Sequence, residues 1–137
     1  MYIVDTDHVP STLPSVLVES KPYGPQAVAN YFLGRAFDQN VTVTPMKLQK
    51  LVYFAAAWHF AIFGNRLINE IIQAWMYGPV IESLYRDIRT YGASPIGQLI
   101  HTTNGVGNVT PSLPESDAET LMLLDKVWEV YKDFSAE

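Results

Sequence analysis

The spacing of apolar positions changes several times along the chain, and each change predicts an element. Between 26 and 39, Val28, Tyr31, Phe32 and Phe37 recur at steps of mostly three to five, the pattern of an amphipathic helix. Between 45 and 63, Leu48, Leu51, Val52, Ala55, His59 and Ile62 share one stripe, while Tyr53, Ala57, Phe60 and Ala61 make the opposite side apolar too. A helix that is apolar all round is buried on most sides, so this one is expected to be the central rod. Thr44-Pro45 starts it, because the hydroxyl accepts an orphan N–H and proline has none to lose; Gly64 ends it as a left-handed cap.

Residues 66–68 and 71–77 are rich in β-branched and aromatic side chains and are joined by Asn69-Glu70, which predicts a small hairpin. Gly78-Pro79 breaks that strand and is expected to start a helix, with Pro79 near its first position. Val80, Leu84, Ile88 and Tyr91 face inward, Glu82 and Arg86 pair at i,i+4, and Gly92 stops the helix. Gly, Pro, Ser, Thr and Asn then dominate 93–115, a long connection with a short strand at 96–100 and a flexible turn at Gly105-Val106-Gly107. Ser116-Asp117-Ala118-Glu119 resembles a capping box ahead of a last helix carrying Leu121, Leu124, Trp128 and Tyr131 on one stripe. Residues 1–25 hold Pro10, Pro14, Pro22 and Pro25 and no sustained period, so they are read as an extended arm. The expectation is a mainly α (α+β) domain over 26–137, compact around a central buried helix, with one small β-hairpin.

With 137 residues, 48% hydrophobic and 17% charged, the chain can bury a single core. The most apolar uncharged run, Leu51 to Phe63, is too short for a membrane span, which takes about 20 apolar residues. There is no cysteine, so disulfides and cysteine-ligated zinc are excluded. No secretory signal is visible across Met1 to Val18, and a cytoplasmic location is expected. The net charge of −5 is uneven: residues 35–89 carry six bases against four acids, and residues 115–137 carry seven acids against two bases. Such a chain is a poor nucleic-acid binder, since affinity there comes from neutralising phosphates. Its acidic end is either a solvated face or a surface for a basic partner.

Catalytic constellations are missing. His8, His59 and His101 have no partner at ligand spacing, and His59 on an apolar stripe reads as a satisfied core histidine. There is no nucleophile elbow and no phosphate-binding loop, and the acids Glu70, Glu82 and Asp87 read as members of surface ion pairs. Neither an enzyme nor a cofactor or metal is expected. Two segments call for explanation. Lys47 and Lys50 put two cations at a helix start, where the macrodipole opposes them, so either the start is simply solvent-exposed or an anionic partner or buried acid offsets them. Residues 74–80, AWMYGPV, supply aromatics that are either core or the rim of an anchor pocket.

Val28-Ala29-Asn30-Tyr31-Phe32-Leu33, the run from Thr44 through KLQKL to Phe54, Trp58-His59, Gly64, AWMYGPV and Leu84-Tyr85 follow one another in an order and spacing that resemble the Panacea domain. This is the SocA-like (GepA-like) antitoxin family associated with phages and plasmids. The resemblance covers about 26–134. It implies an antitoxin that neutralises a cognate toxin protein by direct binding, with family-motif positions at Lys47, Gln49, Lys50, Tyr53, Trp75, Tyr77, Gly78 and Pro79. The family pattern continues past the final helix, so the end at Glu137 reads as short, and the arm before Tyr23 is longer than the family's usual start. The alternatives are a phage-encoded adaptor or modulator that binds a host protein, and a DNA-binding repressor acting through Lys47 and Lys50.

Overall fold

A computed structural model describes residues 15–104 and 107–134, with four helices and five short strands among them. Helix α1 spans Pro25–Gln39, α2 Pro45–Phe63, α3 Glu82–Ile88 (followed by a single 3₁₀ turn, Arg89–Tyr91) and α4 Ala118–Tyr131. Strand β1 (Ser15–Val18) lies parallel to β5 (Gly107–Ser112), and β4 (Thr102–Asn104) lies antiparallel on the other side of β5. Strands β2 (Gln73–Trp75) and β3 (Gly78–Val80) form a separate antiparallel hairpin. The mainly helical α+β architecture is as expected.

The helices begin and end where the capping chemistry says they should. Thr44 Oγ1 accepts the Lys47 N–H, Pro45 follows, and Gly64 closes α2 at φ 76°. Asn40 ends α1 at φ 56°, a left-handed conformation that asparagine tolerates. In α4 the cap is Asp117, one residue later than a Ser116 capping box would put it, and its carboxylate accepts from Thr120 N at 3.3 Å.

The core lies where α1, α2 and α4 meet. Phe32 stacks on Trp128 with ring centroids 6.4 Å apart, and the buried indole donates to Gln39 Oε1 at 3.0 Å. Phe54 stacks on Tyr131 at 4.2 Å. Burying an aromatic of this size stabilises by a few kcal/mol, about 3–5 for a buried Trp truncated to Ala. The α2 stripe holds for Leu48, Leu51, Val52, Ala55 and His59, but its ends do not follow the expectation of burial on most sides. Phe60 and Ile62 are 60% and 61% exposed, because neighbouring elements cover only one side of the last turns. Phe37 in α1 also faces outward.

Two local expectations are corrected. The hairpin is 73–75 with 78–80, turning at Met76-Tyr77, and not 66–68 with 71–77. Residues 66–68 are already used: Tyr23 N donates to Leu67 O, Asn69 N donates to Tyr23 O, and Tyr23 bridges Ile68. Pro79 therefore lies in β3 opposite Ala74 and does not open a helix; a short edge strand tolerates a residue with no N–H, and α3 starts at Glu82. Ile81, before it, has no capping side chain, so Glu70 serves instead, its carboxylate accepting from the Ser83 N–H (2.9 Å) and hydroxyl. Glu82 does pair with Arg86 at 3.0 Å, as expected, whereas Asp87 accepts from the Gln26 amide at 2.8 Å.

The expected strand at 96–100 is irregular chain. Its backbone groups go elsewhere: Ile96 N to Val43 O at 2.8 Å, and both polar groups of Ile100 to the Asn30 side chain. The strands come later, at β4 and β5. The Gly105-Val106 part of the expected turn and residues 1–14 of the arm lie outside the described residues. From Ser15 the arm is held by the β1–β5 ladder and by the buried Tyr23.

His59 is fully buried, with Nδ1 3.0 Å from Asn65 O and Nε2 2.9 Å from Lys21 Nζ. Lys21 also lies 3.5 Å from Asp117, which accepts the Tyr23 hydroxyl at 2.6 Å. Burial lowers the His59 pKa, and the Lys21 cation adds to this. Burial alone would raise Asp117, but hydrogen bonds from Tyr23 and Thr120 and the charge of Lys21 outweigh it and hold the carboxyl at about 2. Both groups have folded-state values below their unfolded ones. Each therefore contributes stability that is full above its unfolded pKa and is lost as the pH falls through the folded one. The urea midpoint is expected to be level above about pH 6.5, to decline below it as unfolded His59 takes up a proton, and to drop again between about 4 and 2. His59→Gln should remove the upper decline and leave the lower.

Candidate functional site: an apolar groove at the β2–β3 hairpin

The start of α2, the hairpin and the end of α3 enclose a groove of about 620 Å³. Its walls are Pro45, Met46, Gln49 and Lys50 from α2, Trp75, Met76, Tyr77 and Val80 from the hairpin, and Tyr85, Ile88, Arg89 and Gly92 from α3 and its 3₁₀ turn. The volume falls within the roughly 300–1,000 Å³ of ordinary ligand-binding clefts. Smaller depressions lie on other faces; among the described residues only this groove brings the KLQKL and AWMYGPV segments together.

One buried residue explains why the two segments meet. Gln49 faces inward from α2, and its amide grips the backbone of Ile81 twice: Nε2 donates to Ile81 O at 3.0 Å, and Ile81 N donates to Oε1 at 2.9 Å. This double bond fixes the exit of β3 against α2. Gly78 lets the chain return from the turn, since its φ of 121° is open to glycine and strained for other residues. Trp75 is held by a relay: its indole donates to Gln73 Oε1 (2.9 Å), Gln73 Nε2 donates to Glu82 (2.9 Å), and Glu82 pairs with Arg86. Tyr85 meets the indole edge-on at 5.1 Å. The tip is open, with Met76 87% and Tyr77 83% exposed. A fixed aromatic next to an exposed apolar tip is the composition of interface hot spots.

The two lysines have different roles. Lys47 is half-buried and donates to the carbonyl of Lys132, at the C-terminal end of α4. Burial lowers its pKa, with the Asp133 carboxylate acting against that. The negative end of α4 thus offsets a cation that the α2 dipole disfavours. Lys50 lines the groove, and no ion pair holds it among the described residues. Lys47→Glu is expected to lower stability by about 1–2 kcal/mol through the α4 terminus, whereas Lys50→Glu should leave stability within about 0.5 kcal/mol of wild type. Paired urea titrations check this.

Of the eight motif positions, Gln49, Lys50, Trp75 and Tyr77 line the groove, and Gly78 and Pro79 build the hairpin that forms its wall. Lys47 sits at the α4 end, and Tyr53 lines a separate shallow depression with Phe60 and Ile71. Met46, Met76 and Tyr85 lie in the motif runs without being motif positions, and Arg89 has no place in them. Met46 carries a sequence signal as a large apolar residue at a helix start, whereas the exposure of Met76 follows from the turn that the structure places at 76–77.

Among the described residues no group of three or more His, Asp or Glu side chains is placed to hold a metal ion, and no helix is long and apolar enough to cross a membrane. No solved structure matches the chain. Antitoxin SocA of Caulobacter vibrioides (strain NA1000 / CB15N) is 32% identical over 74 residues, which cover 54% of this chain and 39% of that protein. The chain thus aligns with well under half the length of this relative. Residues 48–137, which include AWMYGPV, all of KLQKL but Lys47, and the whole groove apart from Pro45 and Met46, match the family described as antitoxin SocA-like, Panacea domain, and the chain belongs to it.

Proposed function

We propose that this protein is an antitoxin that neutralises a cognate toxin by direct protein–protein binding, with the hairpin groove as the docking surface. The reading is supported by family membership and by one structural observation: the two motif segments converge on an apolar groove whose tip leaves Met76 and Tyr77 uncovered. Covering such a surface releases apolar area from water, at about 25 cal/mol per Å², and the fixed Trp75 loses little freedom on binding. The toxin is the protein encoded beside it, held in an inactive complex. Co-expression tests this. The neighbouring protein alone should arrest growth, the pair should not, and the two should co-purify at a fixed ratio. A neighbour that is harmless alone, or that stays toxic in the pair, refutes the proposal.

A further inference from the structure

The groove's chemistry defines the segment that fills it, an inference that rests on the protein-binding reading above. Apolar and aromatic side chains dominate its walls, and among the described residues the only full charges on it are Lys50 and Arg89. Among the described residues no acid lines it, in a chain with 14 acids and nine bases. Neither cation is ion-paired among the described residues. Arg89 caps the C-terminal end of α3, where the helix dipole favours a cation. Lys50 lies in the second turn of α2, where the dipole opposes it, and it lacks the offset that α4 gives Lys47.

We propose that the groove takes a short segment of the partner protein in which a large apolar or aromatic side chain lies close to an Asp or Glu. The apolar group enters the wall formed by Met46, Trp75 and Val80, and the carboxylate sits with Lys50 and Arg89. The thioethers of Met46 and Met76 adapt to the shape of the entering side chain, so the groove accepts varied apolar groups while the charge requirement stays fixed. A protein segment suits the surface better than a small molecule, because the exposed Met76 and Tyr77 extend the apolar face beyond the groove, where a small ligand would leave them bare.

The test selects a random-peptide phage library on the full chain and titrates the enriched peptides against wild type, K50E/R89E and M76D. Each variant is first shown to keep the wild-type circular dichroism spectrum; K50Q/R89Q replaces the reversal if that unfolds. Enriched peptides are expected to carry Asp or Glu within about four positions of Trp, Phe, Leu or Ile. They should bind K50E/R89E and M76D about tenfold or more weakly. Peptides without acids, equal affinity for K50E/R89E, or no enrichment overturns the proposal. So does a dimer in light scattering that M76D dissolves, which would assign the groove to a second copy of the chain. Binding of the neighbouring gene's product is measured separately. If it binds K50E/R89E as tightly as wild type, the antitoxin reading survives and the acidic-segment proposal fails. If acidic peptides bind and the neighbour does not, the reverse holds.

Discussion

Asn30→Leu is expected to cost the protein about 3–6 kcal/mol, a large part of the roughly 5–15 kcal/mol that holds a domain folded. Asn30 is buried on α1, and its amide serves three backbone groups: Nδ2 donates to Ile100 O at 2.9 Å and to Pro111 O at 3.0 Å, and Ile100 N donates to Oδ1 at 2.7 Å. Leucine has the same branching and the same number of side-chain heavy atoms, so no cavity forms. The cost comes from one N–H and two carbonyls left dry and unpaired, at about 1–3 kcal/mol each. Urea denaturation followed by tryptophan fluorescence would measure it. A loss under 1 kcal/mol would mean that water reaches these groups, or that they find other partners. The variant should fray the 93–104 connection and β5 before the helices, since those are the segments that Asn30 ties down.

Gln49→Leu should cost about 2–5 kcal/mol by the same logic, leaving the Ile81 N–H and C=O without partners. Its second consequence is functional. Ile81 joins β3 to α3, so freeing it moves the hairpin and with it the position of Trp75 and Tyr77 in the groove. Hydrogen exchange should show the amides of 73–81 losing protection ahead of those in α4, and partner binding should weaken even at temperatures where the chain remains folded. Gln26→Ala is the control. Its amide bonds to Ser83 and Asp87 join α1 to α3 nearer the surface, so its loss should cost about 1 kcal/mol or less.

These two residues also mark how far the sequence could be read. Asn30 and Gln49 both lie within the quoted motif runs, yet neither spacing nor charge says what a side-chain amide holds. Their partners are backbone groups 70 and 32 positions away. The same limit explains the misplaced hairpin. Ile71, Ile72 and their neighbours look like strand formers, and Asn69-Glu70 looks like a turn. The pairing was decided instead by Tyr23, far back in the arm, taking the backbone of 67–69. Lys47 and Lys50 are alike in sequence, two cations at one helix start. Only the arrival of the α4 terminus beside Lys47 separates them, and Lys50 lines the groove with Arg89.

The sequence by itself determined what short-range physics controls: the extents of α1 and α2, the presence of α4, the Thr44-Pro45 start, the Gly64 end, the inward stripe of α4 and most of that of α2, and the two motif segments that mark the family. Those follow from caps, helical period and residue shape within a few positions. The tertiary structure decided the pairing of β1 with β5, the outward face of late α2, the true hairpin, and the meeting of KLQKL with AWMYGPV at one groove. Each of these depends on where a backbone N–H or C=O finds a partner dozens of residues away. Many pairings satisfy local preference equally, and only one packs the core around Phe32 and Trp128.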